Sequence, residues 1–158
     1  MSHPRPAMSA AIGARFLSDT GTGGLFNAAS PLITDVRQTF APAGTLPPYV
    51  VFSYQNFTND DLLGKRGYKA TVKVDVFVAE LDDSGNLVGL SSLDQINERV
   101  IGNWAPSGTA PTYGLHGWNM GTIATSWNTT IMHHESSMDL NEPGMLHSEH
   151  LFSVGAYV

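Results

Sequence analysis

The sequence predicts an α+β domain, in which two or three helices pack on one face of a mainly antiparallel sheet. Tyr68–Glu80 alternates between apolar and more polar residues, and Ser91–Ile101 carries apolar residues at helical spacing. The last third of the chain is a series of β-rich segments separated by turn residues. A chain of 158 residues fits one domain. We expect residues 1–158 to form it, with 1–6 as a loose tail and 7–158 as the core.

The region before the main strand predicts one helix and one strand. Ala7–Leu17 is rich in alanine, and Ile12 and Phe16 recur at helical spacing before a run of glycines ends the helix. Leu25–Phe40 has room for a short helix and a short strand, and its pattern fixes neither. In Leu46–Tyr54, two prolines precede β-branched and aromatic residues, which is typical of the start of a strand.

The strand Tyr68–Glu80 and the helix after it have the clearest patterns in the chain. One face of the strand is apolar, and the other begins polar and becomes apolar at Phe77. In the helix Ser91–Ile101, either Ser91 or Ser92 supplies the N-terminal cap. The apolar stripe that packs on the sheet consists of Leu93, Ile96, Val100 and Trp104. Gly102 and Pro106 end the helix.

The C-terminal third predicts short strands near Met120–Thr125, Asn128–Ser137 and His147–Val158. The turn Asn141–Gly144 contains proline and glycine, and it joins the last two strands as a closing β-hairpin. Trp104 is expected in the core, at the end of the helical stripe, whereas Trp118 and Trp127 are expected either in the core or as anchors of an interface, where tryptophan is enriched.

The composition argues against several classes of function. Only 14% of the residues are charged, so burying the surface in an interface removes water from few ions. The net charge of −6 argues against nucleic acid as the main partner, because phosphate binding depends on lysine and arginine. The absence of cysteine excludes a disulfide scaffold, a cysteine-ligated zinc site and a thiol nucleophile, and it suits folding in a reducing cytoplasm. The sequence has no candidate signal peptide or membrane helix, so we expect no membrane partner.

A cluster of basic residues lies at the start of the long strand. Four of the eight basic residues, Lys65, Arg66, Lys69 and Lys73, fall within nine positions. The first interpretation is a solvated strand edge, where lysine discourages pairing with other chains. The alternative is a positive surface that faces DNA or an acidic neighbour, and the four residues are our candidates for an interface or a DNA channel.

Histidines are concentrated in the C-terminal half. The group and its neighbouring carboxylates are His116, His133, His134, His147 and His150, with Glu135 and Glu149. Imidazole and carboxylate bind divalent metals, and a hairpin would bring the candidate ligands His133 and His134 close to His147 and His150. The spacing matches no zinc motif, so polar strand faces, or an interface sensitive to pH, are preferred over a metal site. On that interpretation, His134→Ala or His150→Ala has little effect on folding.

No other pattern indicates catalysis. Gly21–Gly24 fits neither the dinucleotide-binding nor the P-loop spacing, and the sequence contains no nucleophile elbow. The acidic pairs Asp60–Asp61 and Asp82–Asp83 lack the further ligands of a calcium loop. We therefore expect no catalytic residue, no cofactor and no enzymatic activity.

Four segments in order carry a resemblance to a known family. The turn Ala41–Gly44 precedes the strand Pro48–Phe52 (Pro-Tyr-Val-Val-Phe), and the long strand Lys69–Phe77 precedes the helix Leu93–Ile101. In this arrangement the chain resembles the tail-terminator and tail-completion proteins of long-tailed bacteriophages. The resemblance covers roughly residues 10–105. The C-terminal third departs from it, because it is longer and richer in histidine.

The resemblance implies a structural protein of the virion that forms a ring, commonly a hexamer, at the head-proximal end of the tail. Such a ring stops polymerisation of the tail tube and presents a surface to the neck. The implied partners are further copies of the chain, the tail tube protein and the head–tail connector or adaptor protein. Genomic DNA passing through the lumen is a further implied contact, which Lys65–Lys73 would face. The protein would fold in the host cytoplasm and reside in the virion tail or neck.

Two other functions stay open on the sequence alone. One is a different position in the virion, as a head–tail adaptor, a tail-tube or baseplate component, or a capsid-decorating protein. The other belongs to a different class, a metal-dependent enzyme that uses the C-terminal histidines.

Overall fold

The computed structural model describes residues 3–61, 64–103, 109–140 and 142–158. Two helices and seven strands form in this part of the chain. In order they are α1 (Arg5–Leu17), β1 (Asp35–Gln38), β2 (Tyr49–Asn59), β3 (Gly67–Ala79), α2 (Gly89–Ile101), β4 (Thr122–Ile123), β5 (Trp127–Thr129), β6 (His133–Asp139) and β7 (Met145–Tyr157).

All seven strands belong to one sheet with the order β1-β2-β3-β7-β5-β4, and β6 also pairs with β7. The pair β1–β2 is parallel, and every other pair is antiparallel. Strands β6 and β7 form the predicted closing hairpin, although Asn141 in its turn lies outside the described residues. The predicted α+β class, with a mainly antiparallel sheet, is confirmed.

Alternate side chains of β3 point to two different faces of the sheet, one covered by the helices and one open. Its apolar positions, Tyr68 to Val78 in steps of two, are between 0% and 7% exposed. Both helices pack over this inner face, since Gly13 of α1 meets Phe52 of β2 and α2 lies against β3 and β7. The largest wholly buried side chains, contributed by helices, strands and loops alike, are Trp127, Phe16, Phe152, Met8, Ile12, Leu25, Ile33, Ile96, Leu115 and Met132.

Helix α1 begins earlier than its alanine-rich segment predicts. Arg5 and Pro6 lie in the first turn instead of in the expected tail, and Pro4 precedes them at the N-cap. Proline is tolerated there because the first amide groups of a helix have no partner within it. Between α1 and β2, the segment Leu25–Phe40 contains β1 and no helix.

Helix α2 begins at Gly89, and neither Ser91 nor Ser92 caps it. The start is fixed by a close approach, because a β-carbon on Gly89 would lie 2.7 Å from the carbonyl oxygen of Ala79. The amide of Gly89 donates to the carbonyl of Glu80 instead of to a side chain. The helix ends at Gly102 as predicted, with a φ of 109°. Of the predicted stripe, Leu93, Ile96 and Val100 are buried, whereas Trp104 and the expected breaker Pro106 lie outside the described residues.

The predicted strand Asn128–Ser137 is two strands, β5 and β6. Between them, the amide of Met132 donates to the carbonyl of Trp118, and the carbonyl of Met132 accepts from Gly117. The Met132 side chain is wholly buried. Thr130 still donates to the carbonyl of Gly155 in β7, so the chain leaves β7 only at Ile131 and Met132, where it pairs with the loop that follows α2.

An ion pair fixes the end of α1 to α2. Asp19 is 8% exposed and accepts hydrogen bonds from the guanidinium of Arg99, with 2.9 Å between Nε and Oδ2. The same carboxylate accepts from the amide of Leu25 at 3.0 Å. The guanidinium also lies over the ring of Tyr113, 3.4 Å from its centroid. Three separate segments therefore meet at one carboxylate.

We expect Asp19→Ala to lower the free energy of unfolding by about 3 kcal/mol, because removing one partner leaves a partly buried guanidinium unpaired. Urea denaturation of the two proteins measures the difference. Asp35→Ala is the matched control, because it breaks the more exposed pair with Arg37, whose side chain is 49% exposed. The control should cost less than about 1 kcal/mol. Equal losses in the two variants would contradict this account.

Candidate assembly surfaces

The four residues of the predicted basic cluster do not form one surface, because Lys73 lies further along β3 than the other three. Lys73 lies on the open face of β3, with its Nζ 2.9 Å from Asp75 Oδ2 and 3.3 Å from Glu149 Oε2. Burial lowers the pKa of Lys73, but the hydrogen bonds and charges of Asp75 and Glu149 outweigh burial and raise it. Lys73 is therefore a charged component of an ion network and is already bound within the chain.

The other three basic residues lie at the start of β3. The Arg66 guanidinium donates to the hydroxyl of Tyr68 at 2.9 Å, and all three residues are exposed. We call Lys65, Arg66 and Lys69 the basic end. It is smaller than the predicted four-residue cluster because the strand carries Lys73 away from it.

The candidate metal ligands lie on both faces of the sheet. On the open face, His147 stacks on Phe77 and its Nε2 is 2.9 Å from Asp75 Oδ1. His134 and His150 face the helices, on the side of the buried Phe152. Across the described residues, no three histidine, aspartate or glutamate side chains are placed to hold a metal ion.

The two inner histidines belong to a chain of hydrogen bonds. Ser137 Oγ lies 2.8 Å from His134 Nε2 and 2.7 Å from His150 Nδ1, and His150 Nε2 lies 2.9 Å from Asn97 Oδ1. The Asn97 amide donates to Ser148 Oγ at 3.0 Å, so its oxygen accepts from His150 Nε2–H. His150 Nδ1 then accepts from the Ser137 hydroxyl. The chain joins β6, β7 and α2.

This environment keeps His150 neutral. His150 is 1% exposed, and burial, with a smaller contribution from His134, lowers its pKa to about 4 against the opposing charges of Asp139 and Asp75. Burial also lowers the pKa of His134, and the nearby His116 lowers it further. The expectation that His150→Ala has little effect on folding is therefore replaced, since His150 is buried and its two ring nitrogens each bind a partner.

The sequence reasoning missed the partners of His150, although part of the signal was present. Ser148 and His150 lie on the same face of β7 as the apolar residues Leu146, Phe152 and Val154, which predicts that both polar residues are buried. A buried polar group needs a partner, so a polar residue facing them was to be expected. The chain pattern does not identify it as Asn97, which lies 53 residues before His150.

One end of the domain exposes leucine and valine side chains. Where β3 ends and α2 begins, Leu81 is 47% exposed, Leu87 78%, Val88 38% and Leu90 66%. Two grooves flank this turn, and the larger, of about 770 Å³, is lined by Leu87, Leu90, Pro143 and Leu146. We call this surface, with members Leu81, Leu87, Val88, Leu90 and Pro143, the apolar end.

The charges around the apolar end all have one sign. The described residues that line its two grooves include four carboxylates and no lysine or arginine: Glu80, Asp82, Asp83 and Glu142. Contiguous exposed apolar surface bordered by polar residues is typical of a protein interaction site. A partner that covers this end must therefore be apolar and must not be acidic.

No family model matches the sequence, and no curated protein matches it either. A search of solved structures finds a chain from the virion of a native gene transfer agent (GTA) particle, with a TM-score of 0.61 and 10% sequence identity. This chain shares the fold of that virion protein. The superposition covers 100% of both chains.

The similarity to the gene transfer agent chain extends through the histidine-rich C-terminal third, where the phage resemblance in the sequence is loosest. The C-terminal hairpin is therefore part of the shared fold and not an added segment. Neither described helix is long and apolar enough to cross a membrane.

Stability should fall as the pH is lowered from about 6.5 to about 4, because the unfolded chain protonates His150 before the folded protein does. A pKa difference of about 2.5 units corresponds to about 3 kcal/mol. Thermal unfolding of the wild type and His150→Gln across this range measures the effect. The variant should be less stable at pH 7 and should show a smaller slope with pH. An unchanged slope would assign the pH dependence to another group.

Proposed function

We propose that this chain is a structural protein of a phage or phage-like virion, and specifically a tail terminator in the neck region. In this role, copies form a ring, which caps the tail tube and joins it to the head connector. The observation that carries the proposal is the similarity in fold, over the whole of both chains, to a protein of a gene transfer agent virion. The four segments that carry the resemblance to tail-terminator proteins, which follow one another in the same order between residues 10 and 105, favour the terminator position.

The surfaces support an assembly role. A weakly charged chain that exposes a cluster of leucines at one end has a surface suited to burial against other subunits. A contact between two different patches generates a ring when its rotation closes. The proposed partners are further copies of the chain, in a hexamer, together with the tail tube protein and the connector or adaptor protein.

The cluster of Ser137, His134 and His150 resembles a catalytic arrangement but is better explained as a structural one. Ser137 lies between two imidazoles, as a nucleophile would, but His150 is buried and its other nitrogen is bound to Asn97. The chain of hydrogen bonds fixes the β-hairpin to α2. The proposed function is therefore geometric and involves no catalytic step.

The ring should be visible by negative-stain electron microscopy, with a mass near six chains by mass photometry. Purified virions should contain the chain at a few copies per particle, located at the head–tail junction by antibody labelling. Labelling along the whole tail or over the capsid would instead support a tube or decorating protein. A chain that stays monomeric at high concentration and is absent from particles would contradict the structural proposal altogether. Stoichiometric bound metal would favour the enzymatic alternative.

A passing contact with genomic DNA should be weak. Lys65, Arg66 and Lys69 are exposed cations, so they would neutralise about three phosphates and give a slope of log K against log salt near −3. Fluorescence anisotropy with duplex DNA measures this slope for the wild type and for Lys65→Gln/Lys69→Gln, which should reduce its magnitude by about 2. Lys73→Gln is the control and should leave the slope unchanged, because Asp75 and Glu149 already hold Lys73. A steep slope that Lys73→Gln reduces would contradict this account.

A further inference from the structure

Strand β3 separates two ends of opposite charge. The basic end lies on either side of its first residue and the apolar end follows its last, and 13 extended residues span about 40 Å. The two surfaces therefore lie far apart on one rigid strand, and neither is able to cover the other within the same chain.

The apolar end has the features of one half of a contact. Leu87 and Leu90, at 78% and 66% exposure, stand beside a groove of about 770 Å³. Four carboxylates line this groove and the one beside it, two in each, and the described lining residues of both include no lysine or arginine. Two copies meeting through this same end would bring eight carboxylates together, so a symmetric contact is disfavoured.

The basic end has the features of the other half. A groove of about 290 Å³ at this end is lined by Lys69, Ile131 and Tyr157, and Ile131 is 44% exposed. The nearby carboxylates already accept hydrogen bonds, Asp60 from the Tyr157 hydroxyl at 2.7 Å and Asp61 from a backbone amide at 3.0 Å.

The cations of this end are available to a neighbour. The side chains that line the two grooves here include three basic residues and two acidic ones, in contrast to the four carboxylates at the apolar end. Lys65 and Lys69 are exposed on either side of the first residue of β3. A leucine-bearing, acidic surface is the complement of this end.

We propose that the apolar end of one copy docks on the basic end of the next, with Leu87 and Leu90 directed at the groove beside Lys69 and Ile131. This inference rests on the proposed function and identifies the contact that builds its ring. The contact is heterologous, since it joins two different patches, and such a contact forms a closed ring when its rotation closes. Burial of the leucines supplies affinity, and the paired charges select the head-to-tail orientation.

The apolar half is tested with Leu87→Asp/Leu90→Asp, measured by analytical ultracentrifugation over a range of concentrations. Both leucines are exposed, so circular dichroism and the melting temperature should match the wild type. The concentration needed for assembly should rise at least about tenfold, the equivalent of about 1.4 kcal/mol. Leu17→Asp is the matched control, because Leu17 is a 56% exposed leucine outside both ends, and it should assemble normally.

The charge half is tested by reversal and rescue. Asp83→Lys/Glu142→Lys changes the sign of two of the four carboxylates at the apolar end, and Lys65→Glu/Lys69→Glu changes the sign of two of the three cations at the basic end. Each double variant should assemble poorly alone. The chain that carries all four changes again has opposite signs at the changed positions of the two ends and should regain assembly. Asp94→Lys/Glu98→Lys makes the same charge change on the exposed side of α2 and should have no comparable effect.

The outcomes separate this contact from the proposed function. Loss in each double variant with recovery in the fourfold variant supports the head-to-tail contact. Wild-type rings that persist in the Leu87→Asp/Leu90→Asp variant and in both charge variants would overturn the contact, while the ring function stands. Recovery that fails although all variants are folded would also overturn it. A wild-type chain that is monomeric at every concentration and absent from particles would contradict the function and the contact together.

Discussion

The antiparallel pairing of β3 with β7 is the constraint on which the rest of the structure depends. Each strand has 13 residues, and the register runs without a break from Gly67 opposite Tyr157 to Ala79 opposite Met145. A shift of one residue would turn the valines of β3 away from the helices, so burial fixes the register. This pairing joins the middle of the chain to its end, and it places β2 on one side and the C-terminal strands on the other.

The chain of hydrogen bonds through His150 fixes the position of α2 on the paired strands. Purely apolar contacts between a helix and a sheet tolerate small displacements, whereas the hydrogen bonds that Asn97 accepts from His150 and donates to Ser148 have defined directions. Moving the helix would leave the Nε2–H of His150 buried without an acceptor, at a cost of about 1–3 kcal/mol. Ser137 extends the same chain to β6, so a strand that is mostly exposed is tied to the core.

The sequence predicts what depends on local periodicity and misses what depends on distant contacts. The apolar face of β3 is confirmed in full, because alternation alone determines it. The start of α2 was wrong because Gly89 is placed by the ends of β3 and β7, which no capping pattern records. The basic cluster contains Lys73, whose partner Glu149 lies 76 residues further on, so its charge is bound within the chain. Each miss follows from a partner that is brought close only by the fold.

The same long strand that organises the core also gives the domain its polarity. Carboxylates and exposed leucines lie at one end of this strand and cations lie at the other, so the two ends of the domain differ in chemistry. Exposed leucines carry a cost in water of about 25 cal/mol for each Å² left uncovered, so they are retained where another surface covers them. Symmetric covering is opposed by like charges, and covering by the opposite end is favoured by unlike ones. The proposed head-to-tail contact would therefore satisfy the apolar and the charged parts of this surface together, which a symmetric contact would not.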